Sequence, residues 1–299
     1  MNTNYPNGSS LVYYAPILSN GNIGSWTMTS NLPVGGAGMQ VIAAKGYLWT
    51  FGGIADAYST AAIYSAPINA NGTLGSWSLS PNGLWGGQAT FNCGVAYYND
   101  YYYKVGGSSA TVITSYGLLN SNGTASAATR GPDLPFSARS SINSLVADNG
   151  YLYLLNSYNT TSGPRYAPIN GDHTIGTWTS AGTNGSWGTR EASFGFISNG
   201  EAYSLGNTLS DYKKIAVFPM SDPTTFGIPS FTADMPYASS GYMQTFGSCF
   251  ANGRAYIVAG ETLTPVVAAY TSNVWVSSVS SGASFFAKLA CGFNSGVNF

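Results

Sequence analysis

The stretch AAIYSAPINANGTLGSW, residues 61–77, decides the fold. It reads as a strand, a glycine-containing turn and a second strand that opens with tryptophan. The same phrase returns as VYYAPILSNGNIGSW at Val12–Trp26 and as RYAPINGDHTIGTW at Arg165–Trp178. A worn copy, VFPMSDPTTFGIPSF, covers Val217–Phe231, with Phe231 where the others have Trp. The closing aromatics Trp26, Trp77, Trp178 and Phe231 are 51, 101 and 53 residues apart. The middle gap spans two periods and encloses a degraded copy, SYGLLNSNG, at Ser115–Gly123. A period of about 50 residues predicts a repeat architecture.

Between copies lie two β-rich runs joined by a short turn. They are MQVIAA and YLWTFGG around Lys45-Gly46, then ATFNCGVAYY and YYYKVGG around Asn99-Asp100. INSLVA and YLYLLN follow around Asp148-Asn149-Gly150, ASFGFIS and EAYSLGN around Asn199-Gly200, TFGSCFA and RAYIVAGE around Asn252-Gly253. Asn-Gly between alternating apolar runs signals a hairpin, because a type I′ turn needs positive φ at both central residues. Gly52-Gly53 and Gly106-Gly107 close the second run, where glycine permits a sharp exit and close backbone approach. No window shows an amphipathic helix, so an all-β chain is expected.

Four antiparallel strands, a to d, in each repeat of about 50 residues match a β-propeller blade. The order of short hairpin, Gly-Gly, Tyr-containing strand and Trp resembles the kelch family, over almost the whole chain. The resemblance implies one propeller domain over residues 1–299. Two departures stand out. Tyr64 to Trp77 is longer than the usual kelch spacing, and the Gly pair becomes Asn156, Gly206-Asn207 and Gly260-Glu261 in later repeats. Five a–b hairpins are clear, and the chain opens with an orphan c–d pair, Leu11–Thr29. If the tail Ala283–Phe299 supplies the last a–b hairpin, pairing of residues 11–29 with 283–299 closes six blades. If it is instead strand d of the fifth repeat, five blades and an extra hairpin result.

Composition bounds the function. Only 7% of the 299 residues are charged, well below the globular norm, while 44% are hydrophobic and 14% aromatic, which argues against disorder. The net charge is −1, with 10 basic and 11 acidic residues. No basic stripe exists for phosphates, so no nucleic-acid partner is expected. No apolar run is long enough to insert into a membrane. The start MNTNYPNGSS lacks a positive n-region and an apolar core, so no secretory signal is expected there. Cys93, Cys249 and Cys291 are odd in number and widely spaced. They read as buried thiols rather than a disulfide framework.

Trp26, Trp77 and Trp178 recur once per repeat and are expected to pack between neighbouring blades. Trp85 (NGLWGG) and Trp187 (NGSWGT) differ, because they sit beside glycine in the d-to-a loops. Phe136 and Tyr237 follow prolines in similar loops. Strands b and d finish at the same end of a blade, so the b-to-c and d-to-a loops share one face around the channel mouth. Asp56, Tyr58, Arg139, Tyr158, Arg190, Glu191, Asp211, Tyr212 and Glu261 are expected there too. Aromatics with a few polar groups on rigidly held loops suit carbohydrate or protein recognition. Packing on neighbouring loops is the equal alternative for Trp85 and Trp187.

Catalytic readings find less support. The kelch-like family includes galactose-oxidase-type copper enzymes, whose metal needs imidazole ligands. The single histidine, His173, falls in a c-to-d turn on the other face and reads as a solvated turn residue, so no metal or other cofactor is expected. The G-x-I/L-G-S/T-W turn superficially resembles the sialidase Asp box, with Asn22 and Asn71 near the place of its Asp. Arg139 and Arg190 match an arginine often found in kelch repeats, which implies a structural role. Glycoside hydrolysis needs two facing carboxylates, and Asp56, Glu191, Asp211 and Glu261 show no spacing that singles out a pair. The expectation is therefore a non-catalytic binding module at a virion or extracellular surface, most plausibly a bacteriophage tail-fibre or receptor-binding protein. Its partners would be a host-surface glycan or protein and neighbouring virion proteins, with further copies of itself allowed. A glycan-processing hydrolase and an architectural fibre subunit are the alternatives.

Overall fold

The computed structural model describes residues 9–278, except 37, 56–57, 89, 108–111, 136–144, 156–163, 182–193, 206–214, 232–241, 245–246 and 264–267. The chain is all-β. Two short strands come first, β1 (Tyr13–Tyr14) and β2 (Thr27–Met28), which pair only with each other among the described residues. The first sheet holds β3 (Gln40–Ala44) and β4 (Tyr47–Phe51). A small ribbon, β5 (Ile54–Ala55) and β6 (Tyr58–Ser59), leads on to β7 (Ile63–Pro67) and β8 (Ser78–Leu79). The second sheet is β9 (Gly94–Tyr98), β10 (Tyr101–Val105), β11 (Thr114–Leu118) and β12 (Thr129–Arg130). The third is β13 (Leu145–Asp148), β14 (Tyr151–Leu154), β15 (Arg165–Pro168) and β16 (Thr179–Ser180). In the fourth, β17 (Phe194–Ser198), β18 (Glu201–Leu205) and β19 (Ile215–Asp222) pair in order. There β20 (Thr225–Phe226) and β21 (Ser230–Phe231) both fold back on β19. The fifth sheet has β22 (Tyr242–Gln244) and β23 (Gly247–Ala251) end to end beside β24 (Arg254–Leu263), with β25 (Ala268–Ser278) on its other edge.

Every expected a–b turn is present. Lys45/Gly46, Asn99/Asp100, Asn149/Gly150, Asn199/Gly200 and Asn252/Gly253 all have positive φ at both positions, as a type I′ turn demands. The phrase that repeats has an equally local cause. Gly24, Gly75, Gly176 and Gly227 face Pro16, Pro67, Pro168 and Pro219 across the hairpin, and a Cβ would lie 2.6–2.9 Å from the proline ring. The second sheet has neither residue. There Leu118 replaces the proline and regains a donor, and its N–H bonds the hydroxyl of Ser126, which replaces the glycine, at 2.9 Å. Within four of the five turns an Asx side chain caps a threonine, as Asn71 Oδ1 does for the N–H and hydroxyl of Thr73. Asn122, Asp172 and Asp222 do the same. In the first turn Asn20 Oδ1 accepts from Asn22 N–H instead.

The core lies between consecutive sheets rather than on one side of any of them. Trp49, Phe51 and Ile63 meet Tyr102, Leu119 and Ala125 between the first and second. Tyr103 and Val105 meet Leu152, Leu154, Ile175 and Trp178 between the second and third. Tyr153 and Leu155 meet Ala202, Ala216 and Phe218 next, then Phe196, Tyr203 and Val217 meet Ala255 and Ile257. Cys249, Ala251 and Tyr256 of the fifth sheet meet Ile17 and Ile23 of the opening pair. Burying one such aromatic contributes about 1.5–3 kcal/mol. That outweighs the ~0.5–1.5 kcal/mol of ring geometry in contacts such as Phe196 on Phe250, whose centroids are 4.4 Å apart.

The same polar contacts recur from sheet to sheet. Tyr103 donates its hydroxyl to His173 O in the next c–d turn at 3.1 Å, and Tyr256 donates to Gly21 O at 3.1 Å. On the other flank, Leu74 N–H donates to Thr29 Oγ1 at 2.8 Å, and the equivalent Ala125 N–H donates to Ser80 Oγ at 3.0 Å. The β1–β2 pair therefore touches both the first and the fifth sheets with the contacts that full sheets make to one another.

Four expectations need correction. Strand a of the second sheet starts at Gly94 rather than in ATFNC, because Thr90 spends its backbone across the seam. Its N–H bonds Thr60 O and its carbonyl accepts from Gly53 N–H at 2.7 Å. The outer strands β2, β8 and β16 begin one residue after Trp26, Trp77 and Trp178 rather than with them, and each is two residues long. His173 is in its turn but is not simply solvated: its ring stacks on Tyr101 at 4.2 Å, with φ 67°. The repeated tryptophans diverge: Trp77 donates to Ser30 O at 2.9 Å and Trp178 is buried, whereas Trp26 is 39% exposed. Cys93 and Cys249 are buried thiols in no disulfide, as expected, and Cys291 lies outside the described residues.

Candidate functional site

The loops after strands b and d leave their sheets at one end, since the antiparallel order makes b and d run alike. Of the residues expected on that face, Trp85 is the one whose side chain is described. Tyr58 is placed in β6, opposite Ala55, and Glu261 is placed in β24, opposite Gln244 and Tyr270. Asp56, Phe136, Arg139, Tyr158, Trp187, Arg190, Glu191, Asp211, Tyr212 and Tyr237 lie outside the described residues.

The segment before Trp85 is anchored firmly. Leu84 is 3% exposed and packs between the first and second sheets, while its N–H donates to Ala61 O at 2.9 Å. Gly83 is forced by close approach, for a Cβ there would lie 2.7 Å from Ala61 O. Trp85–Gly87 then forms a short 3₁₀ turn, with Gly86 and Gly87 at φ 63° and 64° and Gln88 N–H bonded to Trp85 O. The indole is half-buried.

Arg130, from the outer strand of the second sheet, places its guanidinium 5.1 Å from the centre of the Trp85 ring. The same guanidinium donates to both carboxylate oxygens of Asp133, at 2.7 and 2.8 Å. Arg130 and Asp133 keep nearly half of their side-chain surface in water. An exposed ion pair contributes about 0–1 kcal/mol and an exposed cation–π contact about 0.5–1 kcal/mol. The group therefore contributes little to stability. It presents an aromatic surface, a planar cation and a carboxylate at the seam of two sheets. Such a set can stack on the apolar face of a sugar and bond its hydroxyls, or receive a peptide. Sequence reading singled out Trp85 but not Arg130 or Asp133. They stand more than 40 residues away, and only the inter-sheet seam brings them together.

A second polar group lies at the opposite end, among the a–b turns. Lys45 Nζ is 2.7 Å from Asp100 Oδ2, and Tyr97 donates its hydroxyl to Asp100 Oδ1 at 3.0 Å. Lys45, then Tyr97, hold the Asp100 carboxyl below the usual carboxylate range. Burial, then Asp100, pushes the Tyr97 hydroxyl up to about 12. This group fastens the first sheet to the second. Among the described residues, no three His, Cys, Asp or Glu side chains gather where a metal ion could be held. No described helix is long and apolar enough to cross a membrane.

No protein-family model matches the chain, and no curated protein matches it.

Proposed function

We propose that the chain is a kelch-like β-propeller of six units, with β1–β2 belonging to the sixth, and that it works as a non-catalytic binding module. Continuous cores between successive sheets support the ring. So do the matched contacts on both flanks of β1–β2. The binding face is the loop end. The observation that carries it is the half-buried Trp85, held by a rigid turn beneath an exposed Arg130–Asp133 pair. The charge-poor composition, with 7% charged residues, favours an adhesive role at a virion or extracellular surface, such as a bacteriophage receptor-binding or fibre protein. The ligand class is a host-surface glycan, read by stacking and neutral hydrogen bonds rather than by charge.

A glycan-array screen of the purified chain tests this reading, with Trp85→Ala and Trp187→Ala alongside. The reading expects saturable binding that Trp85→Ala weakens at least tenfold without unfolding the protein, in line with ~1.5–3 kcal/mol lost at an aromatic anchor. Binding unaffected by both changes would move the site off the loop end. Release of cleaved sugar from any arrayed glycan would overturn the non-catalytic assignment.

A further inference from the structure

Four polar side chains are shut away together between the first and second sheets, near the Gly52-Gly53 exit. Lys104, Ser115 and Thr90 are each 1% exposed, and Cys93 is 0% exposed. Lys104 stands directly opposite Ser115 on β11 and opposite Val95 on β9, so Lys104 and Ser115 point from the same face of the sheet. Cys93 lies two residues before Val95. Burial pushes its thiol up, against the pull of Lys104 and Thr90 close by. Gly52 and Gly107 press on Thr90 from the other side, where a Cβ would fall 2.3 Å from Thr90 O and 2.8 Å from Thr90 Cβ respectively.

The described part of this cluster holds a basic group and no carboxylate. Among the described residues, Ser115 Oγ and Thr90 Oγ1 lie within hydrogen-bonding distance of no partner, although Thr90 stands close enough to Cys93 to favour its thiolate. The ion pairs among the described residues are Lys45–Asp100 and Arg130–Asp133, and neither involves Lys104. Burial pulls the Lys104 ammonium down. A buried ammonium is costly without a counter-charge, and its described polar neighbours, two hydroxyls and a thiol, carry no carboxylate to supply one.

We propose that this cluster encloses a small monovalent anion of halide size, with Lys104 as its counter-charge and the Ser115 and Thr90 hydroxyls as donors. The anion completes the bonding of both hydroxyls and joins the sheets at the seam that carries Trp85. This site is separate from glycan binding, and its test reads neither glycan nor Trp85.

Melting curves of the purified chain in chloride, bromide and gluconate, at equal ionic strength, test the proposal together with crystals grown in bromide as the sole halide. Chloride and bromide should raise the melting temperature above that in gluconate, by on the order of 3 °C per tenfold halide once the site is saturating. Lys104→Met should remove that dependence. If that variant fails to fold, the crystals decide with the unaltered chain. An anomalous bromide peak between Lys104 Nζ and Ser115 Oγ establishes the site. A water or no density at that place overturns it, as do identical melting curves in all three salts.

Discussion

Gly176 shows how much of the repeated phrase comes from single residues. Its φ needs no left-handed freedom, and its role is to leave space for the Pro168 ring, which a Cβ would approach at 2.6 Å. Gly176→Ala should therefore destabilise the protein by about 1–3 kcal/mol, the usual range for forced overpacking. Adding Pro168→Ala should recover much of that loss. A double-mutant cycle from urea unfolding measures the coupling, and additive losses would refute the ring contact as the cause. The pairing was visible in the sequence only as a recurrent Pro and Gly. Why they recur together is legible once Leu118 and Ser126 are seen to replace both and to exchange a hydrogen bond instead.

Among elements, the hairpins were the most legible. Alternating Tyr, Val and Phe around Asn-Gly specify strand, register and turn at once, and all five a–b turns fall where expected. The outer strands were harder to read, because their ladders last two residues before polar loops take over. Lys104 was missed for a related reason: YYYKV alternates correctly, and nothing in it says that the lysine is on a buried face. The contacts between elements follow the same logic as the turns. Tyr103 and Tyr256 hold equivalent places, and each bonds a carbonyl in the next c–d turn. Tyr103→Phe and Tyr256→Phe should each cost about 1 kcal/mol, the net worth of one such bond plus the carbonyl left unpaired. Denaturant unfolding checks this. A Tyr256→Phe variant as stable as the unaltered protein would mean that β1–β2 does not rest on the fifth sheet in solution.

At the scale of the whole molecule, the period of about 50 residues predicted sheets joined in series, and the structure supplies the cores between them. The candidate site was only partly legible. Trp85 stood out because it breaks the strand pattern beside glycine, whereas Arg130 and Asp133 reach it only through the packing of one sheet on the next. The net charge of −1 has a consequence at this scale too, since on the proposed reading the meeting with a ligand owes little to long-range attraction. The ring itself is the central claim, because it gathers the loops of every unit at one mouth. It turns on whether β1–β2 and the fifth sheet are neighbours. Pulsed electron resonance between spin labels at Ser19 and Asn252 measures this directly, with labels at Gly171 and Asn99 as the reference pair from adjoining sheets. The account predicts that the two pairs give the same short, narrow distance distribution. A long or broad distribution for Ser19–Asn252, beside a short one for the reference pair, would contradict it.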